Sequence, residues 1–444
     1  MNTNQFLILI LLCLLAIIWI RQWARDRIQA EAAPKLKTPR PLKPKTAEDC
    51  PFCRAEKEKR EDPQPKQPLK PWLEVKSPRG RKKTLSTQGH SCPNPTCTYF
   101  GIIDENIHAL VGYGRHGKTD RIQDLRCQAC GRKISVRWGT VLYRLKTSST
   151  SVALILALMA EGVDVSALER VFGIREGTLR TWLTRAGLQA GKVHCHFFHH
   201  LVLHHLQLDE LWTQVRQGSQ VVWVWAVVEA SSKLVPVLKL GPRTMDLAYS
   251  VVHDLCQILQ PGCIPIFTSD GLKLYFYALT AHFGRWQFPE GARKPVWEIS
   301  SSFLYAQLKK IHRRRRLVRV ERHMLCGELE YLKDGLQALE LSGKINTAFI
   351  ERLNLTLRQG VSFLTRRTWG MAQSTPELEV SLDWWRAYYH FVRYHESLRV
   401  KLSHPQARKG RQTPRRYRRR TPAMAAGFTP HRWTVFELLS FPLP

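Results

Sequence analysis

The chain has 444 residues, enough for two or more domains with cores of their own, and its 44% hydrophobic content is that of a folded protein, not a disordered one. Sixty-eight Lys and Arg against 36 Asp and Glu leave a net charge of +32. So large an excess argues against a neutral or cationic partner and for a polyanion, with nucleic acid the commonest one for a chain this size and a membrane surface the rival.

Met1 to Ile20 carries no charged side chain, and residues 6–20 are an unbroken apolar run. As a helix, about 20 residues span roughly 30 Å, the thickness of a bilayer core. Arg21, Arg25 and Arg27 follow, and nothing basic precedes. Residues 1–28 are therefore expected to be a single-pass transmembrane helix, with membrane contact through 6–20 and the rest of the chain on the cytoplasmic side of the cell membrane. Residues 29–89 are rich in Pro and Lys and read as a disordered tether. It is interrupted by Cys50-Pro51-Phe52-Cys53, a possible pair of zinc ligands with no second pair of its own.

Between 90 and 147, Cys92-x4-Cys97 and Cys127-x2-Cys130 bracket the stretch LVGYGRHGK, which suits a β-hairpin-like insert. Eleven cysteines, an odd number with paired spacing, read as metal ligands rather than as a disulfide scaffold. Two turns that each present two thiolates make a tetrahedral site for one structural zinc, and Gly131 permits the tight turn after Cys130. Residues 148–192 read as a helix-turn-helix. Helices are expected over 151–161, over 165–172 with Gly173 as the stop, and over 176–186. Arg175, Thr178, Arg180, Thr181 and Arg185 are its candidates for groove or phosphate contacts. The histidines at 194, 196, 199, 200, 204 and 205 are read as part of a linker, and no ligand is assigned there.

From 200 to 400 the pattern is α/β. Three meandering strands are followed by a helix over 244–259, a buried strand in IPIFTSD and a helix over 272–283; later helices cover 345–358 and 382–394. Three acids stand out. Asp209 is embedded in the strand LQLDELW, with Glu210 pointing to the opposite sheet face. Asp270 closes a buried strand, at a carboxyl end where α/β sites gather. Glu351 lies on a helix with Arg358 seven residues on, about 10 Å further along the same face. Two strand-borne Asp and one helix-borne Glu form a cage for two hard divalent ions, Mg2+ or Mn2+. Arg313, Arg314, Arg315 and Arg316 are candidate DNA contacts; 401–444 reads as a basic C-terminal tail, whose Arg-rich run at 415–420 reads either as a second phosphate contact or as a solvated face.

The segments CPNPTC and LRCQACGR, LDELWT, FTSDG, NTAFIERLNLTLRQGVSFLTRRT and HFVRYHESLR together resemble the DDE transposases of small bacterial insertion sequences, closest to the insertion sequence 1 type. The resemblance covers roughly residues 90 to 435. It implies a ribonuclease-H-like core in which Asp209, Asp270 and Glu351 hold two magnesium ions and Arg358 is the basic residue of the Glu helix. It implies double-stranded DNA, both element ends and target, as substrate, and a homodimer or higher oligomer that pairs two ends. The membrane run, the tether and Cys50/Cys53 depart from that family. The alternative is a membrane-tethered zinc-ribbon and helix-turn-helix regulator that descends from a transposase and no longer cuts DNA.

Overall fold

The computed structural model describes residues 89–442 except 105, 218–220, 291–293, 315, 367–369 and 409–410, together with 69–71 and 74. The apolar run at 6–20 and Cys50/Cys53 lie outside the described residues. Among the described residues no helix is long and apolar enough to cross a membrane. They form a mixed α/β protein with ten α-helices, a six-stranded mixed sheet and three smaller sheets.

The expected hairpin over 110–118 is present. Strands β1 (Leu110–His116), β2 (Ile122–Cys127) and β3 (Lys133–Ser135) make an antiparallel sheet in that order. Three helices follow, α1 (Ser149–Ala160), α2 (Val165–Phe172) and α3 (Glu176–Phe197). Gly173 ends α2 in the left-handed region at φ 65°, as its sequence position suggests. Helix α3, however, continues well past Ala186. Gly187 lies within the extended helix and serves close packing. A Cβ on Gly187 would meet the Val380 carbonyl oxygen at 2.3 Å, so glycine lets α3 lie against α8 (Thr375–Phe391). His194 and His196 are consequently helical rather than part of a linker, and His194 stacks on Phe198 at 4.0 Å.

The large sheet has the order β11-β10-β7-β4-β5-β6, built from β4 (His205–Gln214), β5 (Val221–Glu229), β6 (Val237–Gly241), β7 (Ile266–Ser269), β10 (Tyr305–Arg313) and β11 (Arg316–Cys326). Strands β4, β5 and β6 form an antiparallel meander, as expected from their short connections. Strand β7 is parallel to β4, and such a pair needs a crossover, supplied here by α4 (Met245–Ile258). After β7 come α5 (Lys273–His282) and the small hairpin β8 (Gly284–Gln287) and β9 (Val296–Ile299). Strand β10 then runs parallel to β7 and antiparallel to β11. Helices α6 (Leu329–Ala338) and α7 (Ala348–Gly360) precede α8.

Side-chain alternation divides the sheet between two cores. Leu206, Leu208, Trp225 and Val227 pack on α4 and α5, whereas Leu211, Val224, Ala226 and Val228 pack against α1, α3, α7 and α8. With both faces covered, the strands read as near-continuous apolar runs. The three helices ahead of the sheet share this second core and are not a separate domain.

The C-terminal segment is folded, contrary to the expected tail. Strand β12 (His395–Arg408) pairs antiparallel with β13 (Arg411–Arg420). Helices α9 (Pro422–Ala425) and α10 (Val435–Ser440) follow. Trp433 stacks on Phe391 at 4.5 Å, and Leu438 and Leu439 are buried in the core beside α1 and α3. Pro405 and Pro414 look like breakers, but in a two-stranded ribbon every strand is an edge and can carry proline.

Candidate functional site

Two ligand clusters emerge, and the first is sulfur. Cys92, Cys97, Cys127 and Cys130 bring their four Sγ atoms within 4.8 Å of one another. The Cys92–Cys130 and Cys97–Cys127 sulfurs are 3.5 and 3.8 Å apart. Tetrahedral zinc with bonds of about 2.3 Å separates its ligands by about 3.8 Å, so the spacing fits. Two backbone turns set this geometry. In the first, Cys97 N–H donates to Asn94 O and Gly101 N–H to Cys92 O; in the second, Gly131 N–H donates to Cys127 O at 2.9 Å. Gly131, at φ 74°, supplies the left-handed residue its turn needs. Burial pushes the Cys97 thiol up to about 11 and raises Cys92 further. Exposed Cys130 falls to about 7, where slight burial is outweighed by hydrogen bonds from Arg132 N–H, Asn94 and neighbouring thiols. Buried thiols without a cation are unfavourable as thiolates, and a metal such as zinc would resolve this. Around them Tyr99, Ala109, Leu110, Leu125 and Ile134 form a small buried core, with Leu69, Ile107 and Val136 packed against it. Domains this small commonly need a metal to fold.

The second cluster is oxygen. In the parallel β4–β7 pair, Leu208 is level with Ser269. One residue further on, Asp209 and Asp270 therefore stand side by side where β7 ends. Gln207 brings the third element to them. Its side-chain oxygen accepts the N–H groups of Phe349 and Ile350, both at 3.0 Å, and its amide donates to Asn346 O at 2.8 Å. The first turn of α7 is thus capped by a fully buried sheet residue. That docking lets Asn354 Nδ2 donate to Asp209 Oδ2 at 2.8 Å and turns Glu351 into the same pocket. The pocket is open, holds about 630 Å³, and is lined also by Arg243, Lys309, Lys310 and Thr347.

Glu351 accepts from Lys310 Nζ and Thr347 Oγ1, each at 2.5 Å. The tightest group of acids, within 4.8 Å, is Asp209, Glu210 and Asp270. Glu210 does face the other side of the sheet, where it accepts from the Tyr275 hydroxyl of α5 at 2.9 Å and pairs with Arg243. It nevertheless approaches Asp270, because a residue at the very end of β7 is reachable from both faces. Burial, and then the Asp270, Glu210 and Glu351 charges, push the Asp209 carboxyl up to about 7. Burial also raises Asp270, against the Leu272 N–H and Arg243 that favour its charged form. Asn354 Oδ1 is buried with no partner. Crowded carboxylates beside an orphaned amide oxygen form an all-oxygen donor set, which suits a hard divalent cation.

Arg358 shares α7 with Glu351, but its guanidinium donates to Leu364 O at 3.3 Å, in the 3-10 turn Ser362–Leu364. Of the helix-turn-helix candidates, Arg175 at the N-cap of α3 and Thr178 and Thr181 within it are exposed. Arg180 and Arg185 are turned inward. The former pairs with Glu176 and Glu377, and the latter donates to Tyr143 O at 2.7 Å. Arg313, Arg314 and Arg316 are exposed at the tip of the β10–β11 hairpin, and Arg315 lies outside the described residues. Sequence reasoning missed Gln207, Asn354, Arg243 and Lys310. Only the position of Asn354, one turn after Glu351, carried a readable signal. Compared with known protein families and with curated proteins, the chain matches none.

Proposed function

We propose that the chain is a magnesium-dependent DNA transposase of the DDE type that cuts at DNA ends and joins them to a target. One observation carries this reading: Asp209 and Asp270 lie side by side on adjacent parallel strands, with Glu351 and Asn354 of α7 closing over them. An antiparallel meander followed by two parallel strands, with Asp209 on the first strand of the meander and Asp270 at the end of β7, supports a ribonuclease-H-like core. Two Mg2+ or Mn2+ ions held by Asp209, Asp270 and Glu351 would activate a water or terminal 3′-hydroxyl and stabilise the leaving oxygen.

The chain's own residues do the rest. Asn354 fixes the orientation of Asp209, and Gln207 holds α7 at the height that puts Glu351 opposite it. Lys309 and Lys310 line the pocket and place positive charge where a phosphodiester would enter. The exposed arginines at the tip of β10–β11 extend that charge outward for phosphates without reading sequence. Sequence reading belongs to Arg175, Thr178 and Thr181 at the start of α3, beside a ribbon stabilised by one structural zinc. Joining two ends to a target calls for a dimer or a larger assembly.

The test uses short duplexes covering the DNA that flanks the gene, with Mg2+. Asp209→Asn should lower cleavage and joining by about 10³-fold or more, the scale of losing a transition-state electrostatic contact, with DNA affinity intact. Equal activity in variant and parent would sink the reading.

A further inference from the structure

We infer that β12 and β13 form a grip for a second DNA duplex, distinct from the one presented to the carboxylates; this deepens the proposed joining reaction and rests on it for its purpose. Residues 395–420 carry ten Lys and Arg and one acid, Glu396. Glu396 is taken by Arg419. Both strands are exposed along most of their length. A lone two-stranded ribbon is marginal in water. Its excess of cations over acids also opposes the pairing of its two strands. An extended, self-repelling ribbon gains most from a polyanion laid along it.

Its dimensions and placement fit a duplex. The ten residues of β13 at about 3.3 Å each span about 33 Å, close to one helical turn of DNA. Tyr417 is 41% exposed with Arg399 over its ring at 4.8 Å, an aromatic-cation pair on an otherwise cationic face. The ribbon is rooted at Arg420, which lines a cavity with His204 and Glu229, by the start of β4. Asp209 is four residues into that strand from His205, roughly 13 Å along it. The β10–β11 hairpin leaves the sheet at the other end, since Gln307 is level with Ser269 and Lys309 and Lys310 already line the carboxylate pocket. Two basic ribbons thus rise from opposite ends of one sheet. Strand joining needs two duplexes, one cut and one receiving, and the remote ribbon would hold the receiving one through its phosphates, whatever its sequence.

The experiment uses the full chain with Lys401→Gln, Arg415→Gln and Arg416→Gln combined, none of which lies in the carboxylate pocket. Affinity for a random-sequence duplex, measured without Mg2+ across a salt series, should fall, and the slope of log K against log salt should drop by about 2 to 3. In Mg2+, cleavage at the element end should stay within twofold while joining falls at least about tenfold. Unchanged zinc content and melting temperature establish that the variant is folded. An unchanged salt slope overturns the proposal, as does an equal fall in cleavage and joining, which would mean one shared duplex. Loss of binding to anionic vesicles with DNA binding retained would assign the ribbon to a membrane instead and also overturn it. The binding measurement involves no cutting, so it succeeds or fails whether or not Asp209 proves catalytic.

Discussion

The sulfur and oxygen clusters are both sets of like ligands drawn together, but the chain makes them differently. The four sulfurs come from two turns joined by one hairpin, and local backbone hydrogen bonds fix each turn. The carboxylates come from β4, the end of β7 and α7, and Asn354 reaches Asp209 across 145 residues of sequence. The first cluster sits against a small core with only Cys130 exposed, and the second opens on a pocket of about 630 Å³ lined by lysines. Closed metal sites hold folds together, whereas open ones leave positions for water and substrate. On the proposed reading, the contrast separates a structural centre in the ribbon from a chemical one in the pocket.

The contrast breaks first at Cys127→Ser. Structural zinc contributes about 10–16 kcal/mol of apparent binding energy to small domains, and losing a buried ligand forfeits several kcal/mol of it. Bound zinc should fall from one per chain to near zero by metal analysis, with amides of β1 to β3 losing protection from exchange. The carboxylate pocket has its own core and should still show the Mg2+ dependence of the parent. A variant that keeps one zinc per chain would remove the assignment of the four cysteines.

Gln207→Ala sharpens the other side. It leaves two N–H groups in the first turn of α7 without their acceptor, at a cost of about 1–3 kcal/mol. Because Gln207 acts through α7, the Mg2+ concentration for half-maximal rate should rise and turnover fall by about 10- to 100-fold, the scale of losing a residue that holds a metal ligand in place. DNA affinity should not move. A loss of stability with unchanged Mg2+ dependence would reduce Gln207 to a packing residue.

The same contrast explains what was legible in the sequence. Cysteine spacing exposes a site whose ligands lie within turns of a few residues. Asp209 and Asp270 were visible because a carboxylate beside apolar strand residues is conspicuous. Strand alternation gave the side of the sheet Glu210 faces, yet not its approach to Asp270, which depends on where β7 stops. Gln207 was invisible, since an amide in a strand announces nothing until α7 is docked on it. The ends of α3 and of the chain were misread for one reason. Gly187, Pro405 and Pro414 look like breakers locally, but a close helix approach uses the glycine and an exposed ribbon edge tolerates the prolines.

The smallest expected effect lies where the ribbon meets the helices. Asp120 Oδ2 accepts from Arg137 Nη2 at 2.6 Å and from the Ser149 N–H that opens α1 at 2.8 Å. One carboxylate thereby ties the β1–β2 loop to a helix N-terminus, where negative charge is favoured. The Arg137 hydrogen bond, with the Ser149 N–H, holds its pKa below the ordinary Asp value in spite of partial burial. A depressed pKa means that the folded protein prefers the charged form. The contribution is therefore present above the unfolded value of about 3.9 and is lost as pH falls through the lower folded value. Asp120→Asn should cost about 1 kcal/mol at pH 7, reduced from a buried pair's value because the contact is partly solvated. Urea midpoints of parent and variant should converge as the pH drops below about 4. A gap that persists undiminished at low pH would mean that Asp120 joins the ribbon to α1 through shape alone. The ribbon would then be positioned by packing, not by charge.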